Sequence, residues 1–200
     1  MKLFILLSLL FASGCKNPAE LEYEDTIVEE EPASDMHGGS PADVTWSTCG
    51  PAIGDHPCDF SLVDQDGNTF QLYDNYNKVI LLDFSAMWCG VCQAIANHAQ
   101  QYTEEFGEDG FIWVTILIDN YYGEPPTEAE IDTWCDSNGI DDSPVLSGNR
   151  GMIDSSGVNG WPITSWPTII IIDKEMKISQ GMNGWSDQAA RSWIQQEIQK

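Results

Sequence analysis

The chain has 200 residues, a length that fits one domain and excludes a large multidomain assembly. With 42% hydrophobic residues and eight Trp it is too apolar to stay unfolded throughout. Eight Lys and Arg against 32 Asp and Glu give a formal charge of -24, a field that repels phosphate and anionic head groups and excludes nucleic-acid binding.

Met1 and Lys2 form a minimal positive start, residues 3–12 are apolar apart from Ser8, and Ala12, Ser13 and Gly14 place small side chains before Cys15. Crossing a bilayer takes about 20 apolar residues, so this shorter run reads as a secretory signal over residues 1–14. Residues 10–15 resemble the bacterial lipobox, although Ala12 stands where Leu is commoner. In such lipoproteins the signal is cut before the cysteine, which carries the lipid. The resemblance implies lipidation at Cys15, a membrane anchor and a location in the bacterial cell envelope facing the periplasm. Lys16, where an inner-membrane retention signal has Asp, favours the outer membrane. The alternative is an ordinary signal peptide in which Cys15 is incidental. Residues 15–43 gather Glu20, Glu22, Glu24, Asp25, Glu29, Glu30, Glu31 and Asp35 with Pro18, Pro32 and Pro41, and show no sustained apolar period. Such a stretch is expected to be an acidic, disordered tether.

Residues 44–200 are expected to fold as an α/β domain. Residues 60–63 and 69–72 flank Asp66-Gly67, a hairpin signal. A calcium loop in that turn fails, because Leu62 and Tyr73 fall where oxygen ligands are needed. Residues 79–84 form a nearly continuous apolar run, as in a strand buried on both faces, which makes its one acid, Asp83, conspicuous. Ile95, Ala99, Tyr102 and Phe106 recur at helical spacing, predicting an amphipathic helix over residues 89–106, followed by a strand over 111–118. Thr127 to Glu130 has capping-box form, and Ile131, Trp134 and Cys135 mark the apolar face of a helix that ends at Gly139. Residues 168–173 read as a second buried strand paired with 176–180, and Ala190, Trp193, Ile194 and Ile198 mark a terminal helix. Buried strands alternating with helices imply right-handed crossovers and a covered sheet.

The chemistry concentrates at Trp88-Cys89-Gly90-Val91-Cys92. Two cysteines with two residues between them at a strand-to-helix junction can close a small disulfide ring, and the helix N-terminus stabilises a thiolate. Cys89 is then the exposed nucleophile and Cys92 the resolving thiol. Structural zinc needs a second ligand pair, and Cys49 and Cys58 lack that spacing. Covalent haem needs His after the second cysteine, where Gln93 stands. A purely structural disulfide remains an alternative. Cys49 and Cys58 read as a staple in an oxidising compartment, with a second redox pair as the competing reading. Cys135 is left over, either as an inert buried thiol or as a regulatory one.

Residues 79–92 resemble the strand and active-site segment of the thioredoxin superfamily. Trp166-Pro167-Thr168 is similar to its cis-proline loop, and Asp59-Phe60-Ser61-Leu62 with the Asp-Gly hairpin resembles the TlpA/ResA-like branch, a redoxin group related to AhpC/TSA proteins. The resemblance covers about residues 52–198. It implies a thioredoxin-like fold, a central mixed β-sheet flanked by helices with an N-terminal β-hairpin extension. It also implies a thiol-disulfide oxidoreductase that needs no cofactor and exchanges disulfides with protein substrates, supplied by a membrane or periplasmic electron donor. Cys89, Cys92 and Pro167 take catalytic positions, and Asp83 matches the buried acid that moves a proton from the resolving thiol; an Asp that only bonds nearby backbone is its alternative. Trp88, Gly90, Val91 and Trp166 border the substrate groove. Val91 replaces the usual proline, and the lysine that often partners the buried acid is missing from residues 111–119. A peroxidase is excluded because Leu82 and Ala86 stand where its Pro and Thr or Ser are needed. Two other classes compete: a thioredoxin-like copper chaperone using Cys89, Cys92 and a distant His, and a non-catalytic thioredoxin-like binding module. No metal site follows from the spacing of His37, His56 and His98.

Overall fold

The computed structural model describes residues 44–154 and 160–200. The proposed signal, Cys15 and the tether lie outside the described residues. Among the described residues no helix is long and apolar enough to cross a membrane.

The chain first forms a small antiparallel pair, β1 (Ser61–Val63) and β2 (Thr69–Gln71), around the Asp-Gly turn. Gly67 sits at φ +79°, a conformation that glycine adopts without a Cβ clash. Asp64 accepts from the backbone of Asp66 and Asn68 and so ties the turn together.

A five-stranded sheet follows in the order β5-β4-β3-β6-β7. Its centre is β3 (Val79–Ala86), parallel to β4 (Phe111–Asp119) and antiparallel to β6 (Thr168–Ile172). All eight residues of β3 are buried, as its apolar run requires. The edges are β5 (Val145–Ser147) and β7 (Ile178–Asn183). Between β3 and β4 run α1 (Gly90–Ile95) and α2 (His98–Phe106); α3 (Glu128–Asn138) joins β4 to β5, and α4 (Asp187–Ile198) closes the domain.

Alternation along β3 divides the interior. Val79 and Leu81 pack with Cys92, Ile95, Tyr102 and Ile194 from the helices. Ile80, Leu82 and Phe84 point the other way, into a core closed by Phe70, Leu72, Trp161 and Ile163. Trp166 is half-buried and packs against both cores. The α3 cap forms as its sequence predicts, with Thr127 and Glu130 bonded reciprocally and Gly139 left-handed at φ 62°.

Several boundaries differ from the sequence reading. The helix predicted over 89–106 is two helices, α1 and α2. Ala96 and Asn97 keep right-handed helical angles, so the hydrogen-bond ladder is interrupted while the chain direction continues. The last strand begins at Ile178 and ends at Asn183, because residues 173–177 form a turn tied by the Asp173 carboxylate to the N–H groups of Glu175 and Lys177. Strand β5 was not foreseen.

Each sheet edge is met at one end by a side-chain or loop contact. Gln65 in the hairpin turn accepts from Val145 N–H at 2.8 Å and donates to the Ser143 carbonyl at 3.3 Å, standing in for a neighbouring strand beside β5. On the far edge the Cys49–Cys58 disulfide closes a loop that bonds β7, with Gly54 donating to the Ile178 carbonyl and Ile178 donating to Asp55. These bonds satisfy backbone groups that would otherwise offer a template for pairing.

Candidate active site

The site forms where β3 leaves the sheet. Met87 N–H donates to the Asp119 carbonyl at 2.9 Å and Cys89 N–H to Ala86 at 3.0 Å, which turns the chain into α1. Cys89 is the N-cap of that helix, and its Sγ accepts the Cys92 N–H at 3.1 Å. Cys89 and Cys92 are joined as a disulfide with their Cα atoms 5.2 Å apart. The same amide remains available to a thiolate on Cys89, a charge-assisted bond that favours the ionised form.

The expectation of an exposed Cys89 is corrected: it is 7% exposed, and Cys92 is fully buried. The Cys89 sulfur lies against the first turn of α1, where it accepts the Cys92 N–H. Gly90 and Val91 are exposed at the rim, and Trp88 stands 45% exposed beside them. Trp166 meets Trp88 edge-on with ring centroids 6.3 Å apart, and the Trp166-Pro167 peptide bond is cis. Pro167 leads directly into β6, whose Thr168 pairs with Phe84 of β3. The two tryptophans thus come from segments nearly eighty residues apart in sequence and meet at the rim of the cysteine pair.

Asp83 is 1% exposed, and the Ser85 hydroxyl donates to it at 2.6 Å. Burial pushes its carboxyl up to about 7, with the Ser85 bond pulling in the opposite direction. Its neighbours across the sheet are Thr115 and Ile169, neither of which carries a charge. Alternation places Asp83 on the same sheet face as Leu81, which shares its core with Cys92.

Cys135 is buried on α3 as a free thiol, held up to about 12 by burial and by surrounding acids. His56 stacks on Trp46 at 3.7 Å and His98 packs against Trp185. Among the described residues no group of three His, Cys, Asp or Glu side chains is gathered to hold a metal. A cleft of about 260 Å³ is lined by Met87 and Gln93, which flank the pair in sequence, together with Tyr121, Glu130 and Trp134.

Two residues at the site were not picked out from sequence. Asp119, at the end of β4, accepts from the Trp88 indole at 3.2 Å and from Arg150 through Nε at 2.9 Å and Nη2. The signal was available for Asp119, an acid ending an apolar strand as Asp83 interrupts one. Arg150 lies in a loop and had no such signal.

Residues 53–180 match the AhpC/TSA family. The chain belongs to that family. Its fold is thioredoxin-like, and within the family it is a TlpA/ResA-like redoxin. The thiol-disulfide oxidoreductase ResA of Geobacillus thermodenitrificans is 26% identical over 133 residues, covering 66% of this chain and 70% of ResA. The thioredoxin-like protein YneN of Bacillus subtilis is 25% identical over 118 residues, 58% of this chain. The chain spans 63% of YneN's own length. Among solved structures, the exposed lipoprotein thioredoxin Etrx1 of Streptococcus pneumoniae is 28% identical with a TM-score of 0.55, covering 71% of this chain and 98% of Etrx1.

Proposed function

We propose that this AhpC/TSA protein is a membrane-anchored, extracytoplasmic thiol-disulfide oxidoreductase that exchanges disulfides with other proteins. The observation that carries the reading is the Cys89–Cys92 disulfide capping α1, with the cis Trp166-Pro167 bond at its rim. The name of ResA supports the activity, and that of the pneumococcal exposed lipoprotein thioredoxin supports an envelope location. In this reading residues 1–14 are the signal, Cys15 carries the lipid at the outer membrane, 15–43 tether, and 44–200 form the catalytic domain.

In the reduced protein the Cys89 thiolate attacks one sulfur of a substrate disulfide, forming a mixed disulfide and expelling a substrate thiolate. Cys92 then loses its proton to Asp83 and attacks the Cys89 sulfur. That step re-forms the Cys89–Cys92 disulfide and releases the second substrate thiol. Two electrons pass to the substrate, and a dithiol donor in the membrane or periplasm returns them. Asp83 suits proton transfer because a base at about 7 is poised near neutral pH. Trp88, Gly90, Val91 and Trp166 border the extended substrate, and Pro167 packs against the reacting sulfurs. Cys49 and Cys58 serve as a structural staple. Reduction of insulin driven by dithiothreitol tests the reading: the natural protein is expected to accelerate it and Cys89→Ser to abolish the acceleration. Equal rates for the two would overturn it.

A further inference from the structure

Arg150 is joined to the rim of the cysteine pair through a buried acid. The Asp119 side chain is fully buried, whereas that of Arg150 is 60% exposed. Both Asp119 oxygens are engaged: Oδ1 by Arg150 Nε at 2.9 Å, and Oδ2 by Arg150 Nη2 and by the Trp88 indole N–H at 3.2 Å. The indole is a neutral donor and cannot balance a carboxylate withdrawn from water. The fork of the guanidinium supplies that charge.

The backbone around Arg150 holds it there. Gly148 N–H donates to the Leu117 carbonyl at 2.9 Å, tying the end of β5 to β4. A Cβ on Gly148 would stand 2.8 Å from Ile116 Cγ2 and 2.9 Å from Ile118 Cδ1, so any larger residue would have to push these side chains aside. Asn149 then caps the short turn Arg150–Met152 by accepting the Gly151 N–H at 2.8 Å. The chain is thereby reversed so that Arg150 reaches back to the last residue of β4.

We infer that Arg150 is a positioning residue for protein substrates: it holds Asp119 in place, and Asp119 in turn fixes Trp88 as a wall of the groove beside Cys89. The inference rests on the proposed oxidoreductase activity and adds a distant determinant of protein-substrate binding to it. Small disulfides need only the cysteine pair, whereas a protein segment also needs the wall.

The test compares the full-length protein with Arg150→Ala, Arg150→Lys and the double variant Arg150→Ala/Asp119→Asn. Insulin serves as the protein disulfide and hydroxyethyl disulfide as the small one. Arg150→Ala is expected to raise KM for insulin by about fivefold or more, with kcat and the small-disulfide rate within about twofold of the natural protein. Hydrogen exchange at the Trp88 indole, its NMR signal assigned by its loss in Trp88→Phe, is expected to accelerate about tenfold as the bond to Asp119 loosens. Lysine, a point charge without the fork, restores part of both readouts. The double variant restores more, because a neutral asparagine accepts the indole N–H without needing a counter-charge.

Unchanged insulin KM and unchanged Trp88 exchange in folded Arg150→Ala would overturn the inference, and so would equal losses with both disulfides. Should Arg150→Ala fail to fold, Arg150→Lys decides by the same two readouts. Failure of the oxidoreductase reading shows differently, as no exchange by the unsubstituted protein, and the indole measurement still tests the Arg150 link.

Discussion

Replacing Asp83 with asparagine is expected to reverse part of the pH dependence of stability. Burial raises this carboxyl from 3.8 to about 7 in the folded chain. Between those values the folded state keeps a proton that the unfolded state has already released. The contribution of Asp83 to stability is therefore fully present below the unfolded value and declines as pH rises to about 7, where it levels off. At 1.36 kcal/mol per pKa unit, that interval corresponds to a loss on the order of 4 kcal/mol. Asparagine matches the protonated acid in shape and can still accept from the Ser85 hydroxyl, but it carries no charge at any pH. The assay is urea unfolding of both oxidised proteins from pH 4 to 8, read as the difference between variant and natural protein so that the remaining carboxylates cancel. Asp83→Asn is expected to gain on the natural protein by on the order of 3–4 kcal/mol across that range. A difference that stays flat with pH would refute the argument that burial holds the acid near 7.

The same substitution is expected to slow insulin reduction and to remove any inflexion near pH 7 from its rate profile, checked with stopped-time assays from pH 5 to 9. Replacing both Cys49 and Cys58 with alanine is expected to cost about 2–3 kcal/mol in urea unfolding, as for a short closed loop, while insulin turnover stays within about twofold. Lost turnover would favour a relay between the two pairs. Cys135, pushed up to about 12 and 6% exposed, is expected to resist iodoacetamide at pH 8 in the folded protein and to react in denaturant. Rapid alkylation in the folded protein would show that the α3 face opens.

The fold was legible wherever one signal dominated. The continuous apolar runs of β3 and β6 could only be buried strands in a sheet of this kind, and Thr127 with Glu130 and Gly139 marked both ends of α3. Where the elements are short, the pattern is silent. Strand β5 has three residues after Pro144, too few for alternation to show, and it depends on backbone bonds to β4 and on Gln65. The spacing of Ile95, Ala99 and Tyr102 describes one apolar stripe whether or not the ladder breaks at Ala96, so α1 and α2 were read as one helix.

At the candidate site, local chemistry was readable and assembly was not. Cys89, Cys92 and Asp83 stand out against their own neighbours, and Trp166-Pro167 stands out by its place before a buried strand. The clamp of Trp88, Asp119 and Arg150 joins residues 31 positions apart on either side of Asp119. Only the parallel pairing of β3 with β4, and the close approach at Gly148, bring them together. The burial of Cys89 and its role as the cap of α1 are likewise not determined by the two-residue spacing alone.

The central claim, that Cys89 attacks and Cys92 resolves, is tested most directly by covalent trapping. Cys92→Ser, reduced and mixed with insulin, is expected to accumulate a mixed disulfide that mass spectrometry locates at Cys89, because the resolving thiol that would release it is gone. Cys89→Ser is expected to trap none. A Cys92→Ser protein that forms no adduct, or one joined through Cys135, would contradict the account.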